Sequence, residues 1–180
     1  MDLGGVTNLD RCRFLGCCDT RILRITRPFK KVMEIERKWL VDKEVILPLL
    51  KSGVRIEQHY LNDINEKWLI RARRYGSMCV LTLKGRGMLT RPELEYNITE
   101  NEYLDTIKYS EKSLKKTRFF LPVQFGEEMY YEIDIYDDYD FITCEVEFIS
   151  EEEAEYFVPP EWCVKELTND PDYQNVNLAQ

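Results

Sequence analysis

Histidine is almost absent: His59 is the only one in 180 residues. One imidazole cannot build a histidine-rich metal centre, and it argues against a Ser-His-Asp triad. His59 reads instead as a polar residue on a strand. Cysteine is present but unpatterned. Cys12, Cys17 and Cys18 crowd into the first segment, while Cys79, Cys144 and Cys163 stand singly. None has zinc-type spacing, so they read as reduced thiols of an intracellular, cytoplasmic chain. No stretch reaches the roughly 18 uninterrupted apolar residues of a membrane span. Nor is there the run of about 7–15 apolar residues that a secretory signal requires. The chain reads as neither exported nor membrane-embedded.

Positive charge is in deficit overall, with 25 Lys+Arg against 33 Asp+Glu and a formal net charge of -8. The deficit is uneven. Residues 1–32 carry seven basic and three acidic side chains, and the remainder carries 18 and 30. An acidic body argues against a binder of duplex nucleic acid, whose affinity comes from neutralising phosphates. It leaves room for a small anion in a locally basic pocket. With 44% apolar and 32% charged residues, the chain can bury the core of one domain. Residues 1–32 show no sustained period and read as a basic N-terminal extension, disordered or non-native, or as an upstream start. The domain is expected over 33–180, because periodicity switches on at Met33. A basic arm that touches a partner is the alternative for the first segment.

From Met33 onward alternation with period two dominates and predicts strands at about 33–41, 54–61, 67–75, 78–84, 92–98, 114–121, 129–136 and 142–149. Asn62–Asn65, Tyr75-Gly76-Ser77 and Gly85-Arg86-Gly87 supply turn chemistry between them. Asp42 can cap a short helix over 43–51, limited by Pro48. Thr99 with Glu102, and Ser150 with Glu153, have capping-box spacing. A final helical turn is expected after Pro171. Eight short strands in about 120 residues predict an antiparallel barrel or sandwich with peripheral helices.

The alternation sorts charges by sign. Residues at i and i+2 share a strand face. Glu34, Glu36 and Lys38 therefore share one, with Ile35, Arg37 and Trp39 opposite. Arg71 pairs with Arg73, Glu93 with Glu95, Lys116 with Arg118, Glu132 with Asp134, and Glu145 with Glu147, while Lys84 follows Thr82. Any one pair is an ordinary solvated sheet face. Seven strands contributing together point to a closed barrel turned inside out, its lumen charged and its aliphatic residues facing outward. Two carboxylates about 4 Å apart repel by about 4 kcal/mol at an effective dielectric of 20. Converging acids therefore need a hard divalent cation, and with no nearby His or Cys the choice is Mg²⁺ or Mn²⁺. The basic set needs a polyanion, and phosphate oxygens suit Arg and Lys.

At Glu34-Ile35-Glu36-Arg37-Lys38 the sequence resembles the ExExK signature of the CYTH superfamily, the triphosphate tunnel metalloenzymes. The likeness runs from Met33 to about Ala179 and is greatest to small bacterial inorganic triphosphatases. Further pieces are Leu69–Arg73, Leu81–Lys84, Glu93–Glu95, Lys116–Arg118, Glu132–Asp134, Glu145–Phe148, Phe157–Trp162 and Glu166–Thr168. The resemblance implies an eight-stranded antiparallel tunnel and metal-dependent hydrolysis of inorganic triphosphate to diphosphate and phosphate. Lys38, Arg71, Arg73, Lys84, Lys116 and Arg118 would grip phosphates. Glu34, Glu36, Glu132, Asp134, Glu145 and Glu147 would hold metal, with Glu93 and Glu95 behind them. Lys38, Tyr60, Glu145 and Glu147 would be catalytic, since in the most similar triphosphatases the signature lysine works with a tyrosine that falls at Tyr60. An ammonium beside that phenol is expected to lower its pKa. Near the C-terminus, Pro171 and Asp172 stand where many relatives have basic residues. Relatives often form homodimers. The superfamily also contains class IV adenylate cyclases, which convert ATP to cyclic AMP and diphosphate, so a nucleoside triphosphate is the rival substrate. A non-catalytic nucleotide or polyphosphate binder is the rival of another kind.

Overall fold

A computed structural model describes residues 30–62, 66–123 and 129–180, with side chains from Met33 onward. The expectation for residues 1–32 lies outside the described residues, save the backbone of Lys30–Val32, which already belongs to the first strand. The strands are β1 (Lys30–Val41), β2 (Gly53–Tyr60), β3 (Leu69–Tyr75), β4 (Met78–Lys84), β5 (Thr90–Ile98), β6 (Lys112–Pro122), β7 (Tyr130–Tyr136), β8 (Ile142–Glu147) and β9 (Cys163–Glu166). The first eight match the expected strands closely. They hydrogen-bond in the order β5-β4-β3-β2-β6-β7-β8-β1, and a β1–β5 ladder closes the ring. Every ladder is antiparallel. The result is a closed eight-stranded barrel.

β1 is the seam. Its residues Lys30–Ile35 pair with β5 and Glu36–Leu40 with β8. The unexpected β9 pairs with Trp39–Val41 and takes up the edge where β5 ends. Hydrophobic packing lies outside the barrel wall. Trp39, Ile133, Cys144, Val146 and Phe148 pack with Ile46 and Ala154 from the peripheral helices. Arg37, on the same outer face as Trp39, reaches both Glu166 oxygens at 2.9 and 2.7 Å and the Ala154 carbonyl at 2.6 Å. It thereby ties β9 and α3 (Glu151–Tyr156) to the seam.

The helices are short. α1 (Lys43–Ile46) is capped by Asp42, whose carboxylate accepts from Glu44 N at 2.9 Å. The helix expected to reach residue 51 gives way to a 3-10 turn over Leu47–Leu49, because Pro48 offers no N–H to continue it. α2 (Glu100–Thr106) carries the full Thr99/Glu102 capping box. At α3 the Ser150 hydroxyl accepts from Glu153 N, but the Glu153 carboxylate bonds Ile149 N one residue earlier. After a 3-10 turn at Pro171–Tyr173, α4 (Asn175–Leu178) lies against Tyr60, Leu114 and Tyr136. Gln180 then exchanges backbone hydrogen bonds with Ser113 of β6, at 2.8 and 3.0 Å. No helix among the described residues is long and apolar enough to cross a membrane.

Candidate active site: a tunnel of opposed charges

The barrel interior is polar. A cavity of about 690 Å³ runs through it, lined by Glu34, Glu36 and Lys38 of β1, Tyr60 of β2, Arg71 and Arg73 of β3, Lys84 of β4, Arg91, Glu93 and Glu95 of β5, Lys116 and Arg118 of β6, and Glu145 and Glu147 of β8. Period-two alternation puts these side chains on the inner face because Trp39, Ile133 and Val146 claim the outer one. Of the fifteen residues expected at the site, only Glu132 and Asp134 fall outside this lining. They stand behind it, bound by Arg118, and Asp134 also by Lys116.

The inner charges pair across the ladders. Lys38 Nζ lies 3.0 Å from Glu145, Arg73 lies 3.4 Å from Glu95, and Arg71 lies 3.8 Å from Glu93. Lys84 bridges Glu34 at 2.6 Å and Glu93 at 2.9 Å. Arg118 meets Glu132, Asp134 and Glu145 together. Glu36 and Glu147 form no ion pair among the described residues. The Nε groups of Arg71 and Arg73, two of the lining residues, are buried without a hydrogen-bond partner among the described residues.

Proton affinities follow this pairing. Burial pushes the Glu36 carboxyl up to about 8, helped by Glu145 and Glu34 and opposed by Arg91 and Lys84. Glu147, which opens onto tunnel solvent but is walled by protein, is raised to about 7 by burial, Glu132 and Glu34. Burial would also raise Glu34 and Glu145, yet Lys84 and Arg91 hold the first, and Lys38, Lys116 and Arg118 the second, well below the usual carboxylate range. Burial and Arg118 bring Lys116 down to about 8, against the pull of Asp134 and Glu145.

Lys38 and Tyr60 both line the cavity, but no hydrogen bond joins them. The Tyr60 hydroxyl accepts from Gln58 Nε2 at 2.8 Å. Burial raises its pKa to about 12, outweighing Arg71 and Lys38, which pull it down. The expected lowering is therefore present as a contribution and reversed in the balance. Lys38 instead donates to the Tyr136 hydroxyl at 3.2 Å and the Tyr173 carbonyl at 2.9 Å. The second contact places a main-chain carbonyl, an acceptor, near Pro171 and Asp172, where many relatives are expected to have basic residues. Tyr173, Gln174 and Asn175 line that end of the tunnel, and a main-chain carbonyl meets the lysine.

Two site residues escaped the sequence reading. Arg91 was passed over because the strand was expected to start at Pro92, although Arg91, Glu93 and Glu95 follow the same i, i+2 rule. Tyr136 continues the inward series of Glu132 and Asp134.

Carboxylate oxygens of Glu34, Glu36 and Glu147 come within 4.8 Å of one another. Three carboxylates with no nitrogen or sulfur donor form the ligand set of a hard divalent cation, so these residues fit such an ion. Glu132, Asp134 and Glu145, expected in the same role, lie outside this cluster and form ion pairs with Arg118, Lys116 and Lys38, as Glu34 does with Lys84 and Arg91.

The chain is similar to known proteins in sequence and fold. Over 153 residues, covering 81% of this chain and 96% of the relative, the sequence is 33% identical to an inorganic triphosphatase of Nitrosomonas europaea. A second inorganic triphosphatase, from Acetivibrio thermocellus, is 30% identical over 82% of this chain and 93% of its own length. The chain belongs to the inorganic triphosphatase family. This places it in the CYTH superfamily, as the ExExK resemblance implied. A crystal structure of an inorganic triphosphatase superposes with a TM-score of 0.56 at 29% identity, covering 82% of this chain and 95% of that one. No family model matches the chain.

Proposed function

We propose that the protein hydrolyses inorganic triphosphate to diphosphate and phosphate inside the tunnel, with Mg²⁺ or Mn²⁺ as cofactor. The observation that carries this reading is the convergence of Lys38, Arg71, Arg73, Lys84, Lys116 and Arg118 on one cavity that also holds the Glu34, Glu36 and Glu147 carboxylate cluster. Six converging cations call for a polyanion, and phosphate oxygens suit guanidinium and ammonium donors.

On entry the polyanion competes with Glu93 and Glu95 for Arg71, Arg73 and Lys84, and with Asp134 and Glu145 for Lys116 and Arg118. These cations fix the chain for in-line attack on a terminal phosphorus. Glu34, Glu36 and Glu147 would hold the cation, which neutralises charge developing on the phosphoryl oxygens. Lys38 has three N–H donors, on Glu145, the Tyr136 hydroxyl and the Tyr173 carbonyl, and exchanges the last of these for a phosphoryl oxygen. Tyr60, kept protonated by burial, acts as a neutral donor beside it. The oxygen of water bonds to the terminal phosphorus, one of its protons staying on the new phosphate and the other passing to solvent, while the bridging P–O bond breaks and its electron pair leaves with diphosphate. Free thiols at Cys79, Cys144 and Cys163 suit a reducing compartment such as the cytoplasm.

The test is phosphate release from triphosphate by Glu145→Gln and Lys38→Ala, each checked for a native circular dichroism spectrum. Both variants are expected to be inactive, and full activity in both defeats the assignment. A panel of triphosphate and ATP with Mg²⁺ or Mn²⁺ separates the rivals. Cyclic AMP from ATP marks a cyclase, and tight retention without turnover marks a binder.

A further inference from the structure

Within the three-carboxylate cluster, Glu34 differs from its partners. Both of its oxygens are occupied: Lys84 Nζ lies 2.6 Å from Oε1 and Arg91 Nε lies 2.5 Å from Oε2. Glu36 and Glu147 form no ion pair among the described residues. The two cations on Glu34 are not equivalent. Lys84 is shared with Glu93 at 2.9 Å, whereas Glu34 is the one ion-pair partner of Arg91 among the described residues. Arg91 stands directly opposite Glu34 in the β1–β5 ladder, so the backbone itself fixes the contact. Its side chain also lines the cavity.

We propose that Arg91 makes divalent-cation binding contingent on polyphosphate. The proposal rests on the reading of Glu34, Glu36 and Glu147 as the cation's ligands. In the substrate-free tunnel Arg91 occupies the Glu34 oxygen that a cation needs and adds a repelling positive charge beside the cluster. An entering polyphosphate offers Arg91 and Lys84 better acceptors, because guanidinium meets phosphate bidentately. As they turn to the substrate, Glu34 is released and the cluster regains its full negative charge. Linkage makes the effect reciprocal: substrate tightens cation binding by the factor with which cation tightens substrate binding. Arg91 is a positioning residue for the cation site, acting through Glu34.

Mn²⁺ binding to the full chain, read by electron paramagnetic resonance without substrate, tests this directly. Arg91→Gln is expected to bind Mn²⁺ about tenfold more tightly than the wild type, the scale on which one nearby charge acts in a partly solvated site. Arg91→Lys, which keeps the charge, is expected to stay near the wild-type value. In the wild type, imidotriphosphate, a non-hydrolysable analogue, is expected to tighten Mn²⁺ binding, and Arg91→Gln to lose most of that gain. Unchanged or weaker Mn²⁺ binding by a cooperatively melting Arg91→Gln protein overturns the proposal. Absence of the imidotriphosphate effect in the wild type overturns it too, whatever the variant's fold. Glu34→Gln, measured with imidotriphosphate present so that Glu34 is released, separates the two levels: wild-type Mn²⁺ affinity in that state removes the cation-site reading itself, and the role of Arg91 falls with it.

Discussion

The Lys38 ammonium lies 3.2 Å from the Tyr136 hydroxyl, which also meets Thr143 Oγ1 at 3.0 Å and donates to Asn175 Oδ1 at 3.0 Å. With its one proton given to Asn175, the phenol oxygen can accept from Lys38 and Thr143 at once. The lysine at the heart of the tunnel is thus aimed by a residue from β7 and, through it, by α4. Tyr136→Phe leaves Lys38 its contacts with Glu145 and the Tyr173 carbonyl. It is expected to lower turnover about tenfold and to cost about 1–2 kcal/mol of stability, as for a buried hydrogen-bonded hydroxyl. Phosphate-release kinetics and denaturant melts measure the two effects separately. An unaltered rate in a destabilised protein would assign the hydroxyl to the fold alone.

Arg118 is the counterion of three carboxylates, Glu132, Asp134 and Glu145. Arg118→Met is expected to destabilise by about 3–5 kcal/mol, the usual cost of leaving buried charges uncompensated. Arg118→Lys is expected to recover part of the loss. Urea unfolding of both variants at neutral pH checks the order.

Glu147 brings a carboxylate to the candidate cation cluster with no ion pair of its own among the described residues. A ligand that binds only the folded form raises the melting temperature by mass action. Mn²⁺ is expected to raise the melting point of the wild type and to do so far less for Glu147→Gln. Differential scanning calorimetry with and without Mn²⁺ provides the comparison, and equal shifts would remove Glu147 from the cluster.

His59 is half-buried, with Nδ1 3.1 Å from Ser110 Oγ and its ring edge-on to Tyr103 at 6.0 Å. Burial depresses its pKa below the ordinary 6.5; Glu57 opposes this, while Lys115 and Arg74 add to it. In the window between the depressed value and 6.5 the unfolded chain binds more protons than the folded one. Its contribution to stability is therefore present above 6.5 and is lost as pH falls through the folded value. His59→Gln is expected to flatten that acid-side slope. Because the chain holds one histidine, its imidazole resonance can be followed by NMR without assignment. A midpoint at or above 6.5 would contradict the sign.

Sign-sorted alternation made the barrel and most of its lining legible before any coordinates, because a period of two leaves each side chain only two faces to choose from. Which cation meets which carboxylate was not legible. That depends on ladder register, such as Arg118 opposite Asp134 and Lys38 opposite Glu145, and no local pattern encodes it. Register also explains why three of the acids expected to share a metal are held by lysine and arginine. β9 was missed because Cys163–Glu166 is four residues long with two charges, too short to display a period. The Lys38–Tyr136 contact was not legible for a related reason: Tyr60 and Tyr136 both face inward, and only the three-dimensional closure brings the second within bonding distance.

Because β1 carries Glu34, Glu36 and Lys38 on one side and Ile35, Arg37 and Trp39 on the other, a slide of a single residue along β5, β8 and β9 would exchange the two sets completely. Such a chain would fill its channel with indole and aliphatic carbon and turn its acids and lysine to solvent. A slip of one residue is therefore expected to abolish the site rather than weaken it. In any preparation of this protein, the fraction able to turn over should equal the fraction that zipped its first strand correctly, which makes active-site titration a direct count of properly folded molecules.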